Sequence, residues 1–375
     1  MSIAFICALP TGLNPGMISV DLGIKAFLDI TGLGSKHKAS LYSTEKELVV
    51  SSRHGLSLNY KQLIDAAQLK AYDHIIYWGD FAHWINYSEK EWMKRGEHLG
   101  KSREELENKW YSLYFLENNK ELLSKTIIFG STLYGLNSTQ LTNKRYADNL
   151  KKFFSKCKAA YFRDLYSANF INQVTSSNIA SFSCDCALIR AKAINTLQGK
   201  AHKADIKTKR LGIAFGRSNN PGLLVDFSRK LAAQLNARIE PINWLGNRGI
   251  DGLIYSLQKI QLCDYFFTDI YHCGVNAIGL GIPTISTGST SQEVDHTLSD
   301  KKKEVFFRQH LLQQYYLPTE LIKDGITSNN RFAKQALKEI SNRLKDSDSF
   351  LLAYRLIQMA ASTSITELHS SMVER

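Results

Sequence analysis

The chain has 375 residues, of which 44% are hydrophobic and 22% charged, and its formal net charge is +12 at pH 7. This length suits two domains, and the composition is typical of a soluble globular protein. No apolar run approaches the roughly 20 residues that cross a bilayer. The six cysteines include no CxxC pair, so we expect a cytoplasmic protein without a disulfide scaffold or a metal site.

The excess of positive charge indicates anionic partners. The basic residues are scattered, and no nucleic-acid-binding signature accompanies them. We therefore predict no nucleic-acid partner. Two interpretations of the positive net charge stay open: a solvated basic surface, and a surface that contacts an anionic membrane peripherally.

Short apolar runs that lack polar alternation recur along the chain, which is typical of strands buried on both faces of a parallel sheet. The predicted strands are Ile3–Leu9, Ile75–Trp78, Thr126–Phe129, Ala159–Phe162, Leu211–Phe215, Arg238–Ile242, Tyr265–Thr268 and Thr284–Ser286. Segments of helical period fill the gaps between them. Alternating strands and helices predict an α/β fold with parallel sheets.

The pattern divides the chain into two Rossmann-like domains, 1–200 and 211–375, joined by the polar, basic stretch Leu197–Arg210. A charged segment over 88–125 predicts two helices inserted in the first domain. Capping boxes begin at Ser88 and Ser102. The last helix has an apolar face that includes Phe350 and Ile357, and we expect it to pack back on the first domain.

Ligands of parallel α/β sheets bind at the carboxyl ends of strands, in the loops that lead into helices. Four such loops carry polar residues: Asn14, Gly16 and Asp21 after the first strand, Asp80 and His83 after the second, Arg217, Ser218 and Asn219 after the fifth, and Asp269, Tyr271 and His272 after the seventh. If the two domains face each other edge to edge, all four loops point into one cleft.

His272 is the strongest of these candidate site residues, because a helix begins next to it, near Cys273. The free N–H groups and the dipole of a helix start attract anions, and a histidine there can bind the anion or protonate a leaving oxygen. Gly274 leaves room for that helix to pack closely on the sheet. The alternative is a histidine that only bonds a loop carbonyl.

Three further polar positions stay open between binding and structural roles. Arg217 precedes "SNNPG", which could wrap an anionic group, or it is a surface arginine. Arg163 and Asp164 follow the fourth strand, where they could pair with each other. Asp185 follows an apparent strand end and is either a helix cap or a ligand.

The motifs "RDLYS", "CDCALI", "IAFGR" and "CDYFFTDIYHCGVNAIGLGIPTIS", in that order, resemble the polysaccharide pyruvyl transferase family. The opening "NPGMISVDLGI" is similar to that family's Asn-x-Gly loop, and the resemblance spans roughly residues 10 to 320. It implies a GT-B-like fold in which two Rossmann-like domains face each other across a cleft. It also implies transfer of a pyruvyl group from phosphoenolpyruvate to a pair of sugar hydroxyls, which forms a ketal and releases phosphate.

The resemblance assigns roles to the candidate residues, with phosphoenolpyruvate as co-substrate and no cofactor. His272 is the acid or a donor ligand, and Asp269 or Asp80 is the base. The implied donor ligands are Arg217, Ser218, Asn219, Tyr271, Cys273, Gly274 and Arg163. The implied acceptor ligands are Asn14, Gly16, Asp21 and His83. The acceptor itself is a bacterial cell-surface glycan or a lipid-linked precursor, modified at the inner face of the membrane.

One position departs from the family pattern, which reads Arg-x-His where this chain has Ile270. Either another cation substitutes, such as Arg217, Arg163 or a lysine of Lys301–Lys303, or the donor differs. Two alternatives therefore stay open: a GT-B-like glycosyltransferase with a nucleotide-linked donor, and a non-catalytic glycan-binding protein of the same fold.

Overall fold

The computed structural model describes residues 1–8, 11–79, 83–98, 100–136, 139–190, 208–289, 298–327 and 331–373. These residues form two β-sheets flanked by helices, one in an N-terminal lobe and one in a C-terminal lobe. The alternation of strands and helices confirms the predicted α/β class with parallel sheets.

The N-terminal lobe contains eight strands. They are β1 (Ser2–Cys7), β2 (Lys38–Ser43), β3 (Leu48–Ser51), β4 (Ser57–Gln62), β5 (His74–Trp78), β6 (Thr126–Ser131), β7 (Ala159–Phe162) and β8 (Ala180–Phe182). Their order in the sheet is β3-β4-β2-β1-β5-β6-β7-β8. All neighbouring strands are parallel except β3 and β4, which form an antiparallel hairpin at one edge. Helices cover both faces, so β5 and β6 are buried along their whole length.

The helices of this lobe are α1 (Pro15–Thr31), α2 (Leu33–Lys36), α3 (Ile85–Tyr87), α4 (Lys94–Glu97), α5 (Arg103–Tyr114), α6 (Lys144–Lys156) and α7 (Leu165–Thr175). A π-helical turn, Ser88–Met93, lies between α3 and α4, and residues 186–190 are helical. Ser102 caps α5 as predicted, since its hydroxyl accepts a hydrogen bond from the Glu105 N–H at 3.2 Å. The predicted cap at Ser88 is wrong, because the helical path already begins at Ile85.

The C-terminal lobe contains a five-stranded parallel sheet. Its strands are β9 (Lys209–Ala214), β10 (Ala237–Pro241), β11 (Tyr265–Thr268), β12 (Thr284–Gly288) and β13 (Tyr316–Pro318), in the order β10-β9-β11-β12-β13. Its helices are α8 (Pro221–Leu235), α9 (Gly249–Gln261), α10 (Tyr271–Gly279), α11 (Leu298–Gln309), α12 (Thr319–Thr327), α13 (Arg331–Lys345) and α14 (Ser347–Val373). None of the described helices is both long and apolar enough to cross a membrane.

All eight predicted strands occur in the structure, whereas β2, β3, β4, β8 and β13 went unpredicted. The missed strands are short or alternate between buried and exposed side chains, as β4 does. Such strands, which lie at or near the edge of a sheet, expose part of their side chains and lack the continuous apolar run that marks a central strand.

Two features join the lobes into one body. One hydrophobic core runs from a face of the first sheet, through the contact between lobes, into the second sheet. The long helix α14 extends from the C-terminal lobe to the first sheet, where the Tyr161 hydroxyl lies 2.5 Å from the Ser371 hydroxyl. The predicted linker Leu197–Arg210 falls, up to residue 207, outside the described residues.

A second core on the other face of the first sheet encloses His83, which the sequence analysis had assigned to the acceptor site. Its ring packs 4.8 Å from the ring centroids of Tyr77 and Phe153 and 5.4 Å from that of Phe115. That assignment is corrected: His83 lies in an aromatic core, away from the contact between lobes. Burial lowers the pKa of His83 to about 3, so the ring is neutral at pH 7.

Replacing His83 with phenylalanine is expected to make the protein less sensitive to acid. An unfolded histidine binds a proton below a pH of about 6.5, whereas His83 in the folded protein does not, so the free energy of unfolding falls as the pH drops from there towards 3. At pH 5 this loss is about 2 kcal/mol, and His83→Phe removes it. Urea denaturation at pH 7 and pH 5 measures the difference.

Phe153→Leu, a change in the same cage without a titratable group, should destabilise equally at both pH values. An unchanged pH dependence in His83→Phe would contradict the assignment.

Candidate functional site

The two lobes touch where the first turn of α1 meets the first turn of α10. A Cβ atom placed on Gly16 would lie 2.8 Å from Nδ1 of His272 and 2.9 Å from its Cβ. Only glycine allows the helices to approach this closely, because real Cβ atoms do not come within 3 Å of other heavy atoms. The side chain of Asn14 caps α1 by accepting the Gly16 N–H at 2.8 Å. Asn14 and Gly16 thus shape the start of α1 against the histidine.

A buried ion pair next to this contact links strands of the first lobe to a helix of the second. Nη1 of Arg163, at the end of β7, lies 2.9 Å from Oδ2 of Asp185, after β8. The hydroxyl of Tyr271, from α10, donates to the same oxygen at 3.0 Å. Burial alone would raise the pKa of Asp185, but Arg163, His272 and the donated hydrogen bonds outweigh it and hold the pKa below its usual range. Asp185 is therefore an anion at neutral pH.

Asparagine 276 makes a second bridge between the lobes. Nδ2 of Asn276 donates to the Ser19 hydroxyl of α1 at 3.0 Å and to the backbone carbonyl of His272 at 2.6 Å. Its side-chain oxygen accepts a hydrogen bond from Arg190. Burial lowers the pKa of Arg190 to about 9. These bonds fix α10, and with it His272, relative to α1.

A cavity of about 60 Å³ opens between the lobes beside these bridges. It is lined by Ala8, Met17, Val20, Asp21, Trp78, Arg163 and His272. Asp21 is buried and accepts a hydrogen bond from the Tyr60 hydroxyl at 2.6 Å. A carboxylate, a guanidinium and an imidazole thus converge on one cavity, with the indole of Trp78 as an apolar wall.

The imidazole of His272 is neutral at pH 7, because its pKa is lowered to about 4. Burial is the largest cause, and the positive charges of Arg163, Lys302 and Arg217 add to it, against the opposing effect of Asp185. Among the described residues, no hydrogen-bond partner faces Nε2 of His272, which is shielded from solvent. An anion bound beside this nitrogen would raise the pKa and favour protonation of the ring.

A second, smaller pocket shares Arg163 with the first cavity. Its lining includes Lys302, Tyr271 and Gln309. Nε2 of Gln309 donates to the Arg163 carbonyl at 2.8 Å, so α11 also contacts the end of β7. The lining carries two cationic side chains, Arg163 and Lys302, and one carboxylate, Asp164, which caps α7. The N-terminus of α10 adds to the attraction for an anionic group.

Asp269, predicted as a base, is instead buried and holds the loop between β9 and α8. Its carboxylate accepts the backbone N–H groups of Gly216 at 3.0 Å, Arg217 at 2.9 Å and Ser218 at 2.6 Å. Three hydrogen bonds engage the carboxylate as an anchor, which corrects its assignment as a catalytic base. The loop presents Arg217 and Asn219 to solvent, and the charge of Arg217 reaches His272.

The remaining donor assignments on α10 are corrected as well. Cys273 is fully buried, and burial raises the pKa of its thiol well above the usual value. Gly274 faces β11, where an added Cβ would meet the Thr268 methyl at 3.4 Å. Tyr271 points its hydroxyl across the contact to Asp185. These residues position α10, and His272 is the member of its first turn that lines the first cavity.

Lys303 cannot supply the cation that Ile270 lacks. Its ammonium is buried, lies 2.8 Å from Oδ1 of Asp300, and donates to the carbonyls of Asp269 at 2.7 Å and Thr287 at 2.6 Å. Ile270 itself is buried at the start of α10, with its N–H bound to the Thr268 hydroxyl. Arg163, Arg217 and Lys302 are the cations near His272.

Asp80 lies outside the described residues. The sequence analysis missed the pairing of Arg163 with Asp185 and the roles of Tyr271, Asn276 and Gln309 as bridges. The order of neighbouring strands could have revealed the first, because β7 and β8 end side by side. In the part of the chain that the structure describes, no group of three or more His, Cys, Asp or Glu side chains is placed to hold a metal ion.

The substitution Gly16→Ala is expected to weaken activity and the contact between lobes, because the new methyl group would displace His272. The chain contains a matched control, since α8 also begins with Asn-Pro-Gly and an added Cβ at Gly222 meets nothing closer than 3.8 Å. Gly222→Ala should leave activity unchanged and stability equal or slightly higher. Melting temperature and turnover of both variants test this. Equal behaviour of the two would show that the close approach at Gly16 has no consequence.

Comparison with solved structures shows the fold. A protein named as a UDP-N-acetylglucosamine 2-epimerase from Listeria monocytogenes is 9% identical, with a TM-score of 0.56 over 100% of this chain and 97% of that chain. UDP-GlcNAc 2-epimerase from Neisseria meningitidis, bound to UDP-GlcNAc, is 7% identical, with a TM-score of 0.50 over 100% of both chains. The calicheamicin glycosyltransferase CalG4 is 10% identical, with a TM-score of 0.46 over 100% and 98%. Together with the two facing parallel sheets, the likenesses to the two epimerases identify a GT-B-type fold.

The sequence comparisons give one match. No curated protein matches the chain. The profile of the family described as "Polysaccharide pyruvyl transferase" matches residues 42–291, which is more than half of the chain. The matched segment includes Arg163, Asp185 and the whole of α10. The chain therefore belongs to the polysaccharide pyruvyl transferase family, which is a family of enzymes.

Proposed function

We propose that this enzyme transfers a pyruvyl group from phosphoenolpyruvate to two hydroxyls of a sugar, as a cyclic ketal, in a bacterial cell-surface glycan or its lipid-linked precursor. One observation carries the proposal: Asp21, Arg163 and His272 converge on a cavity between the lobes. Together they offer an acceptor of protons, a fixed positive charge and a proton donor, which are the groups that this reaction requires.

The charge of the region supports an anionic donor. Phosphoenolpyruvate carries a carboxylate and a phosphate. Arg163, Lys302 and Arg217 all lower the pKa of His272, so their positive potential reaches the ring. We assign Arg163 to one anionic group of the donor and the two other cations, with the N-terminus of α10, to the second.

The reaction needs two proton transfers, and the site contains a residue for each direction. The two sugar hydroxyls form bonds to C2 of the donor, the methylene carbon C3 gains one proton to become a methyl group, and the bond between C2 and the phosphate oxygen breaks. The two hydroxyl protons balance the proton on C3 and the one that leaves with phosphate. In this proposal Asp21 accepts a hydroxyl proton and His272 delivers one.

The protonation of His272 is coupled to binding in this proposal. The neutral ring cannot act as an acid until the donor's negative charge raises its pKa from about 4. The cavity, at about 60 Å³, has room for about two water molecules. The lobes must therefore part beside α1 and α10 to admit donor and acceptor, and close again for the reaction.

The acceptor enters, in this proposal, from the side of α1, where Asn14 and Gly16 shape the helix start. The net charge of +12 suits work at the inner, anionic face of a bacterial membrane.

A nucleotide-linked donor is the second candidate. It is favoured by Ile270, which is buried at the position where the family pattern has an arginine. A neighbour of similar fold, the enzyme from Neisseria meningitidis, binds UDP-GlcNAc. Donor binding distinguishes the two candidates.

Phosphoenolpyruvate is expected to raise the melting temperature, and saturation at 100 times Kd would add about 2.7 kcal/mol of stability. Calorimetry at pH 7 in buffers of different ionisation enthalpy should show proton uptake on binding, because the donor's charge raises the pKa of His272. His272→Gln should bind with reduced uptake. Stabilisation by a nucleotide sugar and not by phosphoenolpyruvate would favour the second candidate.

His272→Ala is expected to lower the rate of phosphate release by about 10²- to 10⁴-fold, the range typical of a lost general acid. The fold should persist, because the ring is half-buried and the bridges of Arg163 and Asn276 do not use it. His54→Ala, on the exposed turn between β3 and β4, is the matched control and should keep full activity. Full activity in His272→Ala would remove this residue from the mechanism.

A further inference from the structure

A groove of about 910 Å³ lies on the N-terminal lobe, at the edge of the sheet where its strands begin. Its lining includes Met1 and His74, at the starts of β1 and β5, and Met372 near the end of α14. The candidate active site lies at the opposite edge, where the strands end. Six residues of β1 separate the two edges, which corresponds to about 20 Å. The groove is therefore a separate feature of the molecule.

The lining of the groove is strongly cationic. Four lysines line it: Lys36, Lys70, Lys125 and Lys158. Among the described residues of the lining, Asp73 is the single acidic one, whereas the whole chain has 47 basic and 35 acidic residues. The ratio of basic to acidic residues is therefore much higher in the lining of the groove than in the chain as a whole.

The one carboxylate in the lining is already engaged. Oδ2 of Asp73 accepts the Ser2 N–H at 2.6 Å and the Ser2 hydroxyl at 3.1 Å, and lies 3.9 Å from the amino group of Met1. At the rim, Lys70 pairs with Glu121 at 3.2 Å, and both side chains are more than half exposed. A pair so exposed contributes little and exchanges readily with another anion. The groove therefore keeps a net positive charge.

Three histidines, His37, His74 and His369, also line the groove. The pKa of His74 is lowered, chiefly by burial and then by the charge of Lys158, with a smaller effect of Lys125. Two lysines, which directly precede β6 and β7, thus act on the same ring, which is the electrostatic effect expected of a positive concave surface. Anions bound here would be attracted by several charges at once.

The size and the lining of the groove suit a ligand larger than a single sugar. Its volume lies near the upper end of the range for small-molecule sites, about 300 to 1,000 Å³. Met1 and Val373, which are both exposed, add apolar surface beside the charges. Sugar rings have apolar faces and polar edges, so an oligosaccharide that carries carboxylates matches both parts of the lining. A flat bilayer would contact the rim of a concave surface and leave its floor empty.

We propose that this groove binds the carboxylate-bearing, already modified segment of the polysaccharide. The inference rests on the proposed function, because each ketal formed from phosphoenolpyruvate leaves one carboxylate on the polymer. The unmodified acceptor lacks this charge, so the groove distinguishes product from substrate. Holding the product segment about 20 Å from the cleft keeps the polymer on the enzyme while the next unit reacts.

Binding of a fluorescent oligogalacturonate, which has a carboxylate on every sugar, tests the proposal by anisotropy, with a neutral maltooligosaccharide of equal length as reference. The full chain should bind the anionic oligomer and not the neutral one. The triple variant Lys36→Gln, Lys70→Gln, Lys158→Gln should bind it about tenfold more weakly or worse.

The matched control is a triple variant with the same change of net charge on the C-terminal lobe: Lys230→Gln, Lys323→Gln, Lys338→Gln. All three lysines are exposed, and this variant should retain full binding. Equal weakening of both triple variants would overturn the proposal, since the attraction would then come from the overall charge. Preference for anionic vesicles over the oligomer would overturn it as well, in favour of a membrane surface.

The assay requires neither donor nor turnover, so its outcome is independent of the reaction. His272→Ala should bind the oligogalacturonate as tightly as the unmodified protein. Binding in the absence of any phosphoenolpyruvate-dependent phosphate release would support the groove and reject the proposed reaction. Phosphate release without such binding would support the proposed reaction and reject the groove as a binding site.

Discussion

The main buried ionic link beside the contact between the lobes is the carboxylate of Asp185, which binds Arg163 of its own lobe and Tyr271 of the other. Removing a charge from water is costly, and a buried pair is tolerated only where further hydrogen bonds satisfy it. Tyr271 supplies such a bond only while the lobes are together. This polar contact lies beside the apolar core that joins the lobes.

Ile270 stands where the family pattern has an arginine, so the positive charge near His272 comes from other residues. Ile270 packs inward at the start of α10, and Lys303 is held by Asp300 and two carbonyls. The cation closest to the candidate chemistry is then Arg163, which comes from the opposite lobe. The first lobe supplies Arg163 and the second supplies Arg217 and Lys302, so an anion beside His272 would be attracted by charges from both lobes.

The sequence predicted the central strands and the place of His272, because strands buried on both faces leave continuous apolar runs and a histidine after such a run lies at a sheet edge. It did not predict that Arg163 pairs with Asp185 instead of Asp164. Asp164 caps α7 through the Ser167 N–H at 2.8 Å, and the choice between the two carboxylates depends on strand order, which the local pattern does not contain. His83 also followed a strand, but its side chain lies on the apolar face, and only packing could reveal this.

The long final helix has a consequence for how the protein is made. Part of the surface of the first lobe, around Tyr161, is covered by α14, which follows all other described elements in the chain and is therefore synthesised after them. The first lobe can assemble its sheet during synthesis, yet it stays uncovered on that side until α14 has been made. Nascent chains stalled before α14 should expose apolar surface of the first lobe and bind chaperones that hold unfolded chains. Lobes expressed separately would each expose the apolar surface at which they meet.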